Sequence, residues 1–160
     1  MKLIQAKRTE VKLRIGLSGA SGFGKTYSAL LMAYGMTNDW SKIAVIDTEN
    51  CSANLYAHLG VYGVLQLNEP YAPERYIEAI KTCENASIEV IIIDSISHEW
   101  NGSGGCLEIH DKMGGRFQDW AKLGPRHQEF INAILSSSCH IITTTRRKTD
   151  YSMDVGSNGK

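Results

Sequence analysis

The chain has 160 residues, a length typical of one globular domain, and its 17 basic and 17 acidic residues cancel to a formal net charge of zero. This balance gives no overall electrostatic reason to expect nucleic-acid binding, and no apolar stretch approaches the length of a membrane span. The opening residues, Met1 to Gln5, reach charge too soon for a secretion signal. We therefore expect a cytoplasmic protein with one domain over residues 1–160 and no membrane partner.

Basic residues gather at the two ends of the chain. Residues 1–14 hold five basic residues against one acidic residue, and residues 146–160 hold four against two. Such ends could follow a phosphate backbone, although solvated termini are the plainer interpretation.

Cysteines and histidines show no spacing typical of a metal site. The four cysteines lie far apart without a C-x-x-C pair, and the five histidines form no H-E-x-x-H pattern. The spacing argues against a zinc ribbon and a disulfide scaffold, and it favours reduced, mostly buried thiols. Any metal is then expected to be the Mg²⁺ that accompanies a nucleotide.

Apolar runs and helical patterns alternate along the chain, as in βαβ units with a parallel sheet. In order, they predict a strand at 13–18, a helix at 25–36, a strand at 43–47, a short helix at 52–59, a strand at 64–67, a helix at 73–84 and a strand at 89–94. A mobile glycine-rich loop is predicted at 101–116, then a helix at 117–135 that Gly124-Pro125 breaks or kinks, and a last strand at 138–145. Residues 146–160 form a polar tail, either a loose arm or the start of a missing hairpin.

Residues 19–26 read Gly-Ala-Ser-Gly-Phe-Gly-Lys-Thr, a complete phosphate-binding loop motif between a predicted strand and a predicted helix. Its glycines allow backbone N–H groups to surround phosphate oxygens, its lysine adds a positive charge, and its threonine hydroxyl can bind Mg²⁺. The motif predicts nucleoside triphosphate binding by a contiguous segment: Gly19, Ala20, Ser21, Gly22, Phe23, Gly24, Lys25, Thr26 and Tyr27.

Two strand ends supply carboxylates for chemistry on that nucleotide. Asp94 closes the apolar run Val90-Ile91-Ile92-Ile93, where it could hold Mg²⁺ together with Thr26. Glu49 follows the strand at 43–47, and in an extended chain it shares a face with Asp47. We favour Glu49 as the base that polarises water, with a capping or ribose-contacting role as the alternative.

Two further residues are weaker candidates. Glu99 is the second choice for the base, and its plainer interpretation is a solvent-exposed loop acid. Arg146 begins a basic cluster after the last strand, where it could sense the γ-phosphate, reach into a neighbouring subunit, or simply be solvated.

Several segments together resemble the RecA-like ATPase core, and more closely a group of phage-encoded RecA-core or AAA-type ATPases. They are residues 24–30, Asp47-Thr48-Glu49, residues 73–76, Asp94-Ser95 with His98-Glu99-Trp100, and Gly104-Gly105. The resemblance implies a three-layer α/β P-loop fold with a mostly parallel sheet. It also implies that ATP is bound by the loop, that Asp94 holds Mg²⁺ and that Glu49 activates water.

Some phage relatives are recombination or single-strand annealing ATPases. The resemblance therefore implies a homo-oligomeric ATPase acting on single-stranded DNA, with residues 101–116 and their cations Lys112 and Arg116 as one contact; a mobile loop with no partner is the alternative for this segment. The charge distribution adds the basic termini as a second candidate contact. Two other functions stay open, a small-molecule phosphotransferase and a nucleotide-dependent binding module that does not hydrolyse ATP.

Overall fold

The computed structural model describes residue 5 and residues 11–147. Within this part the strands are β1 (Arg14–Gly19), β2 (Ile43–Asp47), β3 (Gly63–Gln66), β4 (Val90–Asp94) and β5 (His140–Arg146). The α-helices are α1 (Lys25–Thr37), α2 (Pro73–Asn85), α3 (Ser97–Asn101), α4 (Cys106–Lys112) and α5 (Trp120–Ser136). Short 3₁₀ segments cover Trp40–Lys42, Ser52–Leu59 and Phe117–Asp119.

The five strands of the described chain form one parallel sheet in the order β1-β5-β4-β2-β3. The register aligns the carboxyl ends of neighbouring strands, so that Asp47 pairs with Asp94 and Gly19 pairs with Arg146. In open α/β sheets this edge is where ligands bind. The polar residues predicted to carry chemistry therefore meet at one edge.

Helices cover both faces of the sheet. On one face, α2 and α5 pack against the alternate β4 side chains Ile91 and Ile93; on the other, α1 packs against Val90 and Ile92. All four apolar side chains of β4 are fully buried, as expected for a continuous apolar run. The predicted three-layer α/β fold is confirmed.

The segment predicted as a mobile glycine-rich loop, residues 101–116, was predicted wrongly, because α4 occupies Cys106–Lys112. Its glycines allow close packing. A methyl group added at Gly102 or Gly105 would lie 2.6 Å from the backbone oxygen of His98, and one added at Gly104, whose φ is 71°, would overlap Pro70. The glycine content of this segment predicts flexibility, but its glycines instead allow close contacts with neighbouring backbone and with Pro70.

Most other predicted boundaries agree with the structure to within two residues, but helix α5 differs. It runs from Trp120 to Ser136 through Pro125 without a break, and residues 117–119 form a 3₁₀ turn before it. Pro125 has no backbone N–H to donate within the helix, yet the helix continues past it.

Parts of the basic ends and of the predicted tail, residues 148–160, lie outside the described residues. None of the helices in the described chain combines the length and hydropathy needed to cross a membrane.

Candidate active site

The loop between β1 and α1 adopts a conformation that depends on two glycines. Gly22 and Gly24 have φ values of 81° and 73°, a region that other residues rarely adopt. The Lys25 ammonium donates hydrogen bonds to the carbonyl oxygens of Gly19 at 3.0 Å and Ala20 at 2.8 Å. The loop is thus folded around the lysine, whose charge stays beside it.

A pocket of about 250 Å³ opens at this loop. Five of the predicted nucleotide-binding residues line it, namely Ser21, Gly22, Gly24, Lys25 and Thr26. Phe23 is 77% exposed and Tyr27 is 40% exposed, and neither lines the pocket. Sequence reasoning missed Ser52 and Tyr56, which line the pocket from the 3₁₀ segment after β2.

Thr26 and Asp94, the predicted metal-binding pair, meet inside this pocket. The Thr26 hydroxyl donates to Asp94 Oδ2 at 2.5 Å, and Asp94 Oδ1 accepts from the hydroxyl of Thr144 at the same distance. Thr144 is fully buried on β5, so it fixes the orientation of the carboxylate from below. Nothing in the spacing of the sequence singled out Thr144 from its two neighbouring threonines.

Asp47 and Glu49 do not share a face, because β2 ends at Asp47. The fully buried Asp47 carboxylate accepts hydrogen bonds from the backbone N–H groups of Glu49 at 2.7 Å and Ala53 at 2.9 Å. Burial raises the pKa of Asp47, and the hydrogen bond from Ala53 opposes that rise. Asp47 shapes the turn, and the turn places Glu49 at the pocket.

Glu49 lies at the wall of the pocket with its side chain 11% exposed. Its Oε2 forms an ion pair with the Arg146 guanidinium, and its Oε1 accepts from the Ser95 hydroxyl at 3.3 Å. His98 Nε2 lies 3.9 Å from the same Oε1. Arg146 is 48% exposed and also lines the pocket, so the structure brings both predicted residues to the phosphate loop within one chain.

Thr48 connects the ends of β2 and β4. Its hydroxyl oxygen lies 2.9 Å from the backbone nitrogen of Ser95, which donates to it, and 2.9 Å from His98 Nδ1. Its own N–H donates to the Asp94 carbonyl at 2.8 Å. Thr48 is 3% exposed and was not predicted to matter, yet it links the elements that carry Glu49 and Asp94.

Glu99, the second choice for the base, lies away from the phosphate loop. It is on α3 and only 2% exposed, and it contacts Cys106 and His127. The interpretation as a solvent-exposed loop acid is therefore wrong. The geometry places Glu49, and not Glu99, at the wall of the phosphate-loop pocket.

The cations expected to contact DNA have carboxylate partners. Lys112 pairs with Glu108 and Arg116 lies 3.8 Å from Asp119, although both cations are 70% exposed. Arg14, one of the basic residues of the N-terminal end, donates to the Cys139 and Ser137 carbonyls at 2.8 Å and 2.6 Å. Arg14 thereby holds the turn between α5 and β5, while Lys2, Lys7 and Arg8 lie outside the described residues.

A second, polar pocket of about 480 Å³ adjoins the first. Glu49 and Arg146 line both pockets, and Tyr71 and His98, with ring centroids 4.9 Å apart, line the second. The Glu49–Arg146 ion pair therefore stands between the phosphate loop and a further cavity at the same sheet edge.

A parallel sheet whose first strand leads through a glycine-rich loop into α1, with an aspartate of β4 against the loop threonine, defines a P-loop NTPase fold. The family model of the AAA domain matches residues 11–159, so the chain belongs to the AAA domain family. Domains of this family are generally ATPases, which makes this a nucleotide-binding domain of the ATPase type. Comparison with curated proteins gives no match.

Proposed function

We propose that the protein is a Mg²⁺-dependent ATPase that acts on single-stranded DNA in phage recombination or replication. The observation that carries the ATPase is the convergence of Lys25, Thr26, Asp94, Glu49 and Arg146 on one pocket at the carboxyl edge of the sheet. The start of α1, the turn after β2 and the carboxyl ends of β4 and β5 supply these side chains, a combination that a structural role alone does not require.

The donor set at Thr26 and Asp94 fits Mg²⁺. A hydroxyl and a carboxylate oxygen lie 2.5 Å apart in the pocket, and hard oxygen ligands are those that Mg²⁺ prefers. Mg²⁺ bound there would neutralise charge on the phosphate oxygens of the substrate. Thr144 keeps the Asp94 carboxylate aimed at this position, so the site is held in place by hydrogen bonds within the chain.

The other residues divide the remaining work. Lys25 and the loop N–H groups bind phosphate oxygens. To do so, the Lys25 ammonium exchanges its hydrogen bonds to the Gly19 and Ala20 carbonyls for bonds to phosphate. Glu49 accepts a proton from the attacking water, and Arg146 stabilises charge on the γ-phosphate. Because Arg146 forms an ion pair with Glu49, a phosphate group that engaged the guanidinium would free the carboxylate.

The role in DNA metabolism rests on resemblance and on exposed cations. Lys112, Arg116, Arg146 and Arg147 are exposed and belong to the segments proposed to track a phosphate backbone. We propose that the protein works in the cytoplasm as a homo-oligomer, in which several copies of the ATPase bind one DNA strand together.

A phosphotransferase is the second candidate, and the pocket beside the Glu49–Arg146 pair favours it. At about 480 Å³ this pocket has room for a small acceptor next to the expected position of the γ-phosphate. In that case the phosphoryl group would move to the acceptor and not to water.

The deciding experiment measures phosphate release from Mg²⁺–ATP with and without single-stranded DNA at two salt concentrations. A DNA-stimulated rate that fades at high salt supports the proposed function, because phosphate contacts weaken with salt. Turnover indifferent to DNA would remove DNA from the proposal. Phosphate that appears on an added nucleoside would select the phosphotransferase, and tight ATP binding without turnover would select a binding module.

A further inference from the structure

Three side chains from different helices converge behind the nucleotide site. Glu99 of α3, Cys106 of α4 and His127 of α5 place one donor atom each within 4.8 Å of the others. Glu99 Oε1 lies 3.1 Å from Cys106 Sγ and 3.0 Å from His127 Nδ1. The three residues lie 7 and 21 positions apart in the chain, a spacing that matches no metal-site motif.

The carboxylate and the thiol of the cluster are buried, and the imidazole is partly exposed. Glu99 is 2% exposed and Cys106 is fully buried, whereas the His127 side chain is 33% exposed. Burying a carboxylate costs free energy unless a positive charge or several donors compensate. Among residues 11–147, no lysine or arginine nitrogen lies within 4.0 Å of a Glu99 carboxylate oxygen, and the nearby Arg126 is bound by both its Nε and its Nη2 to Glu74. The side-chain partners of Glu99 are the Cys106 thiol and His127 Nδ1, which lies within 3.1 Å of both oxygens.

We propose that Glu99, Cys106 and His127 bind a divalent cation of the Zn²⁺ class, separate from the Mg²⁺ of the nucleotide. One thiolate sulfur, one imidazole nitrogen and one carboxylate oxygen form a donor set typical of zinc, and Mg²⁺ would avoid the sulfur. The assignment of this site does not rest on the proposed function.

The two distances from Glu99 Oε1 lie close to those between ligands of a tetrahedral zinc ion, and Cys106 Sγ lies within 4.8 Å of a ring nitrogen of His127. Usual zinc–ligand lengths put neighbouring ligand atoms about 3.4 to 3.6 Å apart. The contacts of Glu99 Oε1 are 3.1 Å and 3.0 Å, so side-chain shifts of a few tenths of an ångström would bring them to these lengths. Trp100 lies edge-on against the His127 ring, with centroids 5.3 Å apart, and limits the orientations of the imidazole.

A fourth ligand position would face a cavity. Glu99 and His127 both line a mostly apolar pocket of about 440 Å³ between α3 and α5. A water molecule could complete the coordination from this side. Without metal, burial and the hydrogen bond with Glu99 raise the pKa of the Cys106 thiol to about 12, so the thiol stays protonated and donates to the carboxylate.

Metal at this position would affect the nucleotide site through α3. The Ser97 hydroxyl of that helix accepts from the backbone N–H of Arg146 at 2.9 Å. A metal ion that links α3 to α4 and α5 would therefore restrain the helix whose Ser97 hydroxyl contacts Arg146.

Cobalt is the probe of choice, since it reports thiolate ligation. The metal-stripped full chain, free of nucleotide and Mg²⁺, is titrated with Co²⁺. We expect a sulfur-to-cobalt charge-transfer band with tetrahedral d–d bands that saturate at stoichiometric metal and disappear on addition of Zn²⁺. A wild-type protein that shows no such bands would overturn the proposal.

Variants assign the ligands. Cys106→Ser should lose the charge-transfer band, and His127→Gln should need far more Co²⁺ to develop any band. Cys51→Ser is the matched control, because Cys51 is a more exposed thiol outside the cluster, and it should behave as wild type. A band that survives Cys106→Ser would show that another thiol binds the metal and would sink the assignment.

Thermal unfolding gives a second readout that does not depend on the spectrum. Zn²⁺ should raise the Tm of the wild type and of Cys51→Ser but not that of His127→Gln, whose half-buried side chain makes a folded variant the expected outcome. Equal Tm values with and without Zn²⁺ in the wild type would leave a hydrogen-bonded cluster without metal and overturn the proposal.

Discussion

Glu49 combines a position at the pocket wall with a carboxylate that can accept a proton. Glu49→Gln keeps the shape of the side chain but removes the base, so ATP hydrolysis should fall about 100- to 10,000-fold. ATP affinity should change little, because Lys25 and the loop N–H groups remain. Single-turnover phosphate release and binding of a fluorescent ATP analogue measure the two quantities.

Glu89→Gln is the control for this substitution, since Glu89 pairs with Lys42 at the opposite end of β4. It should hydrolyse ATP at the wild-type rate. If Glu49→Gln also turned over normally, Glu49 would lose its role as the base and would be left with its ion pair to Arg146.

Thr48 shows how one buried hydroxyl can hold a site together. In Thr48→Val the backbone N–H of Ser95 loses its acceptor, which should lower the free energy of unfolding by about 1 to 3 kcal/mol. Thr143→Val is the comparison, because within residues 11–147 the Thr143 hydroxyl makes only a long 3.4 Å bond to the Ile15 carbonyl. Urea denaturation should show the larger loss for Thr48→Val, and equal losses would contradict the role of Thr48 as the link.

Replacing a glycine by alanine should lower the free energy of unfolding just before α4 but raise it inside α1. Gly104 precedes α4 with φ of 71° and faces Pro70, so Gly104→Ala combines a strained backbone with an overlap. We expect a loss of at least about 1 to 2 kcal/mol in the free energy of unfolding. Gly35→Ala, inside the exposed part of α1 with nothing within 4 Å, should instead gain about 0.5 to 1 kcal/mol.

Thermal or urea unfolding of both variants tests this contrast. A Gly104→Ala variant as stable as the wild type would mean that residues 102–105 can rearrange, as the sequence-based prediction of a mobile loop required.

The sequence predicts elements well where their pattern is local. Continuous apolar residues mark β4, helical spacing marks α1, and the phosphate-loop motif locates the start of the site. The prediction of a mobile loop at residues 101–116 is wrong because composition cannot distinguish a glycine that gives flexibility from one that allows close packing. The interpretation of Glu99 as a solvent-exposed acid is wrong for a related reason. Its burial depends on contacts with α4 and α5, which are distant in the sequence.

The site shows the same limit. That Thr26, Asp94 and Glu49 line one pocket could be predicted, because each lies at or beside a boundary of a recognisable element. Thr48 and Thr144 could not, since their importance lies in hydrogen bonds between strands that the chain brings together only on folding. Cys106 and His127 lack any spacing motif for the same reason.

At the scale of the whole molecule, ligand binding should appear as added stability, because a ligand that binds only the folded chain shifts the unfolding equilibrium. Mg²⁺–ATP at about 100 times its Kd should contribute about 2.7 kcal/mol. For a chain of this size that corresponds to a rise in Tm of roughly 5 to 10 °C. Scanning calorimetry measures the shift, and chelation of Mg²⁺ should reduce it.

Lys25→Ala separates the two proposed sites in the same measurement. The variant should lose the shift with Mg²⁺–ATP, because the pocket lacks its lysine, but it should keep the shift with Zn²⁺, whose ligands lie on α3, α4 and α5. A Lys25→Ala protein that still responded fully to Mg²⁺–ATP would place the nucleotide elsewhere. Loss of both shifts would mean that the two sites are coupled and not independent, as helix α3 and its contact with Arg146 would permit.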